Sequence, residues 1–472
     1  MKHNHSMNKH TRRDFIKTTL LGGIGLAAFP AIIPSSVLGV NAPGEKINIL
    51  QIGCGRIGRS MDIPGLLRHP DLARIVAVCD LDSLRVQDAK QMVEAAYAKK
   101  GVNLSVATYG DYRQALQHPG IDAVAVSTPD FWHAEPVVAA TLAGKDIYVQ
   151  KPLAMTIAEG RMVSDVVKGR GSIFQIGSQQ RSGAEFRRAC ELVRSGRLGK
   201  LHTIKIGLPT DPSGGDPTPM PVPPNLDYAM WLGDTPEAPY TLDRVHPQGP
   251  DLKTRYGARP GWLRIENYTL GMITGWGAHH VDIAHWGMGT EFTGPIAIEG
   301  RAQFPTKGLW NVHGPYHVEM TYANGVTMII DNNFPNGIRF EGADGWIFVT
   351  RGAERVTASD PGGGTTKSFV ASKPEIIATP LGDNDVHLHA SPHNDHHLDW
   401  LTAIRTRRPA VTCAEQAHRS TSACCLGWVA MKLGRKMTWD PEKEAFANDP
   451  AANALRSRPQ RAPYGVDNMR KS

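Results

Sequence analysis

Ile47-Asn48-Ile49-Leu50-Gln51-Ile52-Gly53-Cys54-Gly55-Arg56-Ile57-Gly58 is the stretch on which the reading of the fold turns. Its first half is an apolar strand and its second a G-x-G-x-x-G loop. With 48 glycines in 472 residues the spacing alone is weak, because a chance match is not rare. Context strengthens it: a strand precedes, an amphipathic helix follows, and Asp80 ends the next apolar run, Ala73 to Cys79. Gly53 permits the tight turn, Gly55 lets the backbone approach a pyrophosphate, and Gly58 lets helix and strand pack closely. Arg56 and Ile57 fill the loop, and the helix N-terminus faces the phosphates. Asp80 is expected to accept hydrogen bonds from the adenosine ribose hydroxyls, and its charge opposes a 2′-phosphate. The expected cofactor is NAD(H), with Arg56 and Arg85 leaving NADP open.

Downstream, Val106 to Tyr109, Ile121 to Ser127, Ile147 to Val149 and Ile173 to Ile176 read as further strands separated by helix-like segments. That alternation predicts an α/β fold, a doubly wound parallel Rossmann sheet over residues 44–177. From Leu201 the strands lengthen, as in Tyr316 to Tyr322, Thr327 to Ile330 and Gly345 to Thr350. They predict a second, α+β domain over 178–440 with a mainly antiparallel sheet, followed by a tail over 441–472. Pro209 to Pro224 and Ser359 to Thr366 read as loops.

Upstream, Thr11-Arg12-Arg13-Asp14-Phe15-Ile16-Lys17 precedes an apolar run from Leu20 to Ile33 and small residues at Ser35 to Gly39. This order predicts a twin-arginine signal over residues 1–39, recognition by the twin-arginine export machinery, and a periplasmic or extracytoplasmic destination. Glycines and prolines interrupt the run, which falls short of the roughly 18 continuous apolar residues of a spanning helix. A protein exported folded carries its nicotinamide cofactor with it. Its chemistry should then restore that cofactor in each turnover or pass the hydride to a second substrate.

The formal charge of +7 is concentrated at the two ends of the sequence. Residues 1–17 carry four net positive charges and residues 456–471 four more, so the body stands at −1. No nucleic-acid partner is expected. The six cysteines form no CxxC pair, which argues against a zinc ribbon or disulfide framework. His387, His389, His393, His396 and His397 invite a metal reading, but Asp395 and Asp399 offer them partners without one, and no metal is expected.

Two further segments follow predicted strands: Ser127-Thr128-Pro129-Asp130-Phe131-Trp132-His133, and Gly144-Lys145-Asp146-Ile147-Tyr148-Val149-Gln150-Lys151-Pro152. With Gly275-Trp276-Gly277-Ala278-His279-His280-Val281-Asp282, Arg419-Ser420, Leu433-Gly434-Arg435-Lys436 and Trp439-Asp440-Pro441, they resemble the Gfo/Idh/MocA family, the glucose-fructose oxidoreductase and inositol dehydrogenase group. The resemblance covers nearly all of the chain beyond the signal. It implies a Rossmann domain joined to an α/β domain whose open sheet often forms a subunit interface, and hence a homo-oligomer, with a carbohydrate or glycoside held between the domains.

Carried over by motif, Thr128, Pro129, His133, Gln150 and Lys151 fall at the cofactor. Lys151 corresponds to the motif lysine beside the nicotinamide and the reacting oxygen, where an ammonium would stabilise a developing alkoxide. His279 corresponds to the motif histidine suited to proton removal, with His280 and Asp282 around it. Arg181 matches a cleft arginine. Trp276, Tyr268 and Trp231 are open to two readings, sugar stacking or core. Two positions depart from the family pattern: Gln150 stands where a glutamate is usual, and Gly275 where many dehydrogenases have an aspartate. Three readings follow. The first is oxidation of a secondary sugar hydroxyl with a tightly bound, recycled cofactor. The second is glycoside cleavage through transient C3 oxidation and elimination. The third is a catalytically silent sugar-binding subunit.

Overall fold

The computed structural model describes residues 46–245, 261–352 and 367–469. The twin-arginine segment and the Ser359 to Thr366 loop lie outside them. Six strands form the first sheet: β1 (Ile47–Ile52), β2 (Ala73–Cys79), β3 (Ala107–Tyr109), β4 (Ala123–Val126), β5 (Asp146–Val149) and β6 (Phe174–Ile176). Their order is β3-β2-β1-β4-β5-β6 and every pairing is parallel. All four residues of β4 and of β5 are buried, as a sheet covered on both faces requires. The order reverses between β1 and β4, so the crevice at their carboxyl ends lies beside the glycine loop and Ser127-Thr128-Pro129.

The second sheet has nine strands: β7 (Leu201–Gly207), β8 (Ala297–Ala302), β9 (Tyr316–Thr321), β10 (Thr327–Asp331), β11 (Gly337–Gly342), β12 (Gly345–Val349), β13 (Phe369–Ala371), β14 (Met437–Asp440) and β15 (Ala445–Phe446), in the order β13-β12-β11-β7-β10-β9-β8-β14-β15. Only β7 and β10 pair in parallel; the other neighbours are antiparallel. Period-two alternation buries Tyr316, Val318 and Met320 of β9 on one face, against helices α1 (Gly277–Met288) and α2 (Ala414–Leu433). Gly287 of α1 sits so close to the sheet that a Cβ would come 2.6 Å from the ring of Phe340. The opposite face is polar, with pairs such as Lys205–Glu341 at 3.1 Å and His317–Asp331 at 2.6 Å.

The stretch beyond Trp439, expected as a tail, packs back on the body. Arg458 holds Glu159 at 3.2 Å and Asp234 at 2.7 Å. The Gly465 amide donates to Glu135 at 2.6 Å, and Tyr464 meets Trp132 edge-on at 5.6 Å. The basic charge of this segment is therefore spent partly on buried carboxylates. Burial pushes the Asp234 carboxyl up to about 7 against the pull of Arg458.

Candidate functional site

The glycine loop meets the steric demands predicted for it. A Cβ on Gly53 would lie 2.6 Å from the Ser127 backbone, and one on Gly58 would lie 2.3 Å from the Gly53 carbonyl oxygen. At Gly55 nothing lies within 4 Å, and the residue lines a cavity, so the loop leaves open the space a pyrophosphate needs. Asp80 is pinned by the amides of Cys54 at 2.7 Å and Asp82 at 2.9 Å. Burial raises its pKa, with Arg85 opposing. Arg85 itself approaches Asp82 at 3.3 Å. These residues fit a dinucleotide, with Gly53, Gly55, Arg56, Ile57 and Asp80 along its adenosine and pyrophosphate end.

The same cavity is lined further on by Thr128, Pro129, His133, Gln150, Lys151, Gly275, Trp276, His279 and Arg351. His133 ties two loops together: Nδ1 lies 2.5 Å from the Pro152 carbonyl and Nε2 3.0 Å from that of Thr128. Burial lowers its pKa to about 4 against the pull of the two carbonyls, and a neutral ring, with a single N–H, donates to one of them only. Lys151 donates from Nζ to the Gly275 carbonyl at 2.6 Å, which brings the two motifs together at the point where the aspartate of the pattern is missing.

His279 enters the cavity from the first turn of α1. Burial, then Arg351 and Lys151, hold its pKa well below the ordinary histidine range, so the imidazole is neutral. Its Nδ1 is buried without a hydrogen-bond partner. The carboxylate or carbonyl that ordinarily orients a catalytic imidazole is thus missing among the described residues.

Gln150 is explained by a residue that the sequence reading missed. The helix after the glycine loop opens with a wide turn, Gly58–Asp62, that ends in a fully buried Asp62. Gln150 Nε2 donates to both Asp62 oxygens, at 2.9 and 3.0 Å, and Ser127 and His397 reach the same carboxylate at 2.6 and 3.1 Å. A glutamate at 150 would set two carboxylates at hydrogen-bond distance, so the neutral amide accompanies Asp62.

Four residues predicted to be catalytic or to touch substrate stand outside the cavity lining, as does Gly58 of the glycine loop. Arg181, expected to reach substrate, is 1% exposed and pairs with Asp282 at 2.7 Å and Glu291 at 2.8 Å. Asp282 is therefore committed to that ion pair and not to His279. His280 turns aside to Asn336 at 2.9 Å and to the Trp276 indole at 3.2 Å. Tyr268 is wholly buried, packed on Phe131, with its hydroxyl accepting from Arg244 at 3.1 Å. Trp276 and Trp231 do line the cavity. The C-terminal histidines diverge: His389 goes to Asp399, His396 to Ser182 and His397 to Asp62. Among the described residues no group of three or more His, Cys, Asp or Glu is arranged to hold a metal.

Known proteins share this fold. Residues 47–178 match the oxidoreductase family with an NAD-binding Rossmann fold, and residues 214–466 match its C-terminal alpha/beta domain. The chain is 30% identical over 183 residues to a myo-inositol 2-dehydrogenase of Thermotoga maritima, covering 39% of this chain and 48% of that protein. It is 28% identical over 206 residues to a glycosyl hydrolase family 109 protein of Stenotrophomonas maltophilia, covering 41% and 44%. The chain thus spans about half the length of these curated relatives. The solved scyllo-inositol dehydrogenase of Lactobacillus casei, with NAD(H) and scyllo-inositol, superposes with a TM-score of 0.55 at 16% identity over 84% of this chain and 99% of that one. With a Rossmann half built around the glycine loop and a sheet domain that closes the cavity, the chain belongs to the Gfo/Idh/MocA oxidoreductase family.

Proposed function

We propose that the protein oxidises a secondary hydroxyl of a sugar or glycoside, with NAD held along the glycine loop and Asp80. The observation that carries this reading is the convergence of Lys151 and His279 on the cavity that begins at Gly55. Bound NAD would supply the hydride acceptor. Lys151 hydrogen-bonds the reacting oxygen and stabilises the charge that develops there. The neutral His279 imidazole takes the hydroxyl proton. His133 and the Asp62–Gln150 contact hold the lysine loop in place, and Trp276 helps to close the cavity to water. Incubation of the purified protein with NAD and a panel of sugars should produce reduced nicotinamide and a keto-sugar in equal amounts. Absence of both for every sugar would overturn the reading.

A second reading, redox-neutral glycoside cleavage, is favoured by the unsupported Nδ1 of His279 and by the glycosyl hydrolase relative. Oxidation at C3 acidifies the C2 proton, and one base can serve both removals. Release of aglycone with no net nicotinamide change would select it. Export through the twin-arginine route and self-association through the polar sheet face complete the proposal. They are tested by fractionating cells and by sedimentation of the purified protein.

A further inference from the structure

The adenosine end of the cofactor cavity is covered by residues from far along the chain. Asn225, Leu226 and Asp227 run antiparallel to Leu81, Asp82 and Ser83, just beyond β2. The Ser83 amide donates to the Asn225 carbonyl at 2.9 Å, and the Asp227 amide to the Leu81 carbonyl at 3.0 Å. Asn225 Nδ2 donates to Asp82 Oδ1 at 2.8 Å. The Asp82 amide in turn donates to Asp80 Oδ1 at 2.9 Å, so this clasp and the carboxylate assigned to the ribose share a residue. Buried Leu226 lines the cavity beside Asp80, Leu81 and Tyr112, and Met230 and Trp231 line it too.

The covering segment is stiff on its approach and anchored beyond. Five prolines fall within residues 217–224, which restricts the backbone before it reaches Asn225. Asp227 then caps the helical turn Tyr228–Trp231 by accepting from the Met230 amide at 3.0 Å, and the Trp231 carbonyl accepts from the Trp132 indole at 2.9 Å. Leu226 also borders a second, open hollow with Val222, Leu232, Ala238 and Arg461. It is a partition with space on both sides, and has room to move outward. We infer that residues 223–231 form a strap that encloses the adenosine end of NAD, and that the dinucleotide enters and leaves as Asn225 and Leu226 lift from Leu81 to Ser83. Release then waits on the clasp, whose hydrogen bonds must break together. A nicotinamide retained in this way is restored in place between turnovers. The inference rests on the cofactor site and not on which substrate is turned over.

The test follows NADH into and out of the protein. Cofactor-free protein is mixed with NADH for entry, and NADH-loaded protein with a large excess of NAD for release. Both are read by energy transfer from tryptophan, since Trp132, Trp231, Trp262 and Trp276 line the cavity. Asn225→Ala should speed release roughly 5-fold, the weight of one hydrogen bond, and Leu226→Ala roughly 10-fold. Entry should quicken as well, so the NADH dissociation constant changes less than the release rate does. A side chain that only touched the cofactor would alter release alone. Met220→Ala, on the exposed part of the approach, should change neither rate. Melting temperatures of the cofactor-free variants identify any loss of folding; if Leu226→Ala does not fold, Asn225→Ala, at a half-buried position, decides by itself. Unchanged release in Asn225→Ala, faster release without faster entry, or an equal effect of Met220→Ala overturns the strap. No sugar enters these measurements, so failure of the strap leaves sugar oxidation standing, and failure of sugar oxidation leaves the strap.

Discussion

Two cationic centres lie along α1, and they differ in what surrounds them. Arg181 is enclosed and balanced by Asp282 and Glu291. Lys151 and Arg351 line a cavity beside a neutral histidine whose strongest charged neighbours are basic. The first arrangement holds helices together; the second lines a cavity, with Lys151 bonded to the Gly275 carbonyl and Arg351 stacked on Trp276. A cleft arginine and a core arginine can therefore follow motifs of equal clarity. What separates them is whether the side chain is enclosed among described carboxylates or lies along the cavity wall.

The sharpest way to break this contrast is to remove one member from each centre. Lys151→Ala should reduce hydride transfer by about 1000-fold or more, as loss of a group that stabilises transition-state charge does, with the melting temperature nearly unchanged. Arg181→Gln should do the opposite, costing about 3 kcal/mol of stability in denaturant titrations because two buried carboxylates lose their partner. Equal stability losses in the two variants would erase the distinction.

A smaller effect separates the histidines by pH. Burial lowers His133 and His396 to about 4 and His280 and His285 to about 3, and His279 well below its ordinary value. A histidine with a depressed folded pKa contributes stability above its unfolded pKa of about 6.5, and that stability is lost as the pH falls. Each should cost about 1 kcal/mol per pH unit below that point, read as a falling melting temperature between neutral pH and pH of about 5. His285→Asn should flatten the slope while leaving hydride transfer measurable; His279→Asn should lose hydride transfer as well.

The smallest effect tests the glycine loop. Gly55→Ala places a methyl where the protein has no neighbour within 4 Å. The melting temperature without cofactor should hold, while the NAD dissociation constant rises about 10-fold, since a backbone approach is obstructed. Gly58→Ala, whose Cβ would strike the Gly53 carbonyl, should lower stability even without cofactor.

Legibility in the sequence follows how locally each feature is determined. β1 and β2 fall on the residues that their apolar runs predict, Ile47–Ile52 and Ala73–Cys79, and the glycines answer demands set within a few residues. Arg181, His280 and Asp282 lie outside the cavity lining because a motif gives the position of a residue and not the direction of its side chain, and of the two readings of Tyr268 the core one holds. Arg351 and Asp62 carried no signal at all. One matters because β12 ends beside Trp276, the other because Gln150 and His397 close on it, and contacts between such distant segments exist only in the folded chain.

The clasp of Arg458 on Glu159 and Asp234 joins residues hundreds of positions apart. During synthesis the nucleotide-binding half emerges well before its clasp, and two acids stay unneutralised until it arrives. Contacts of this separation form late, so completion of the body is timed by residues 441–469.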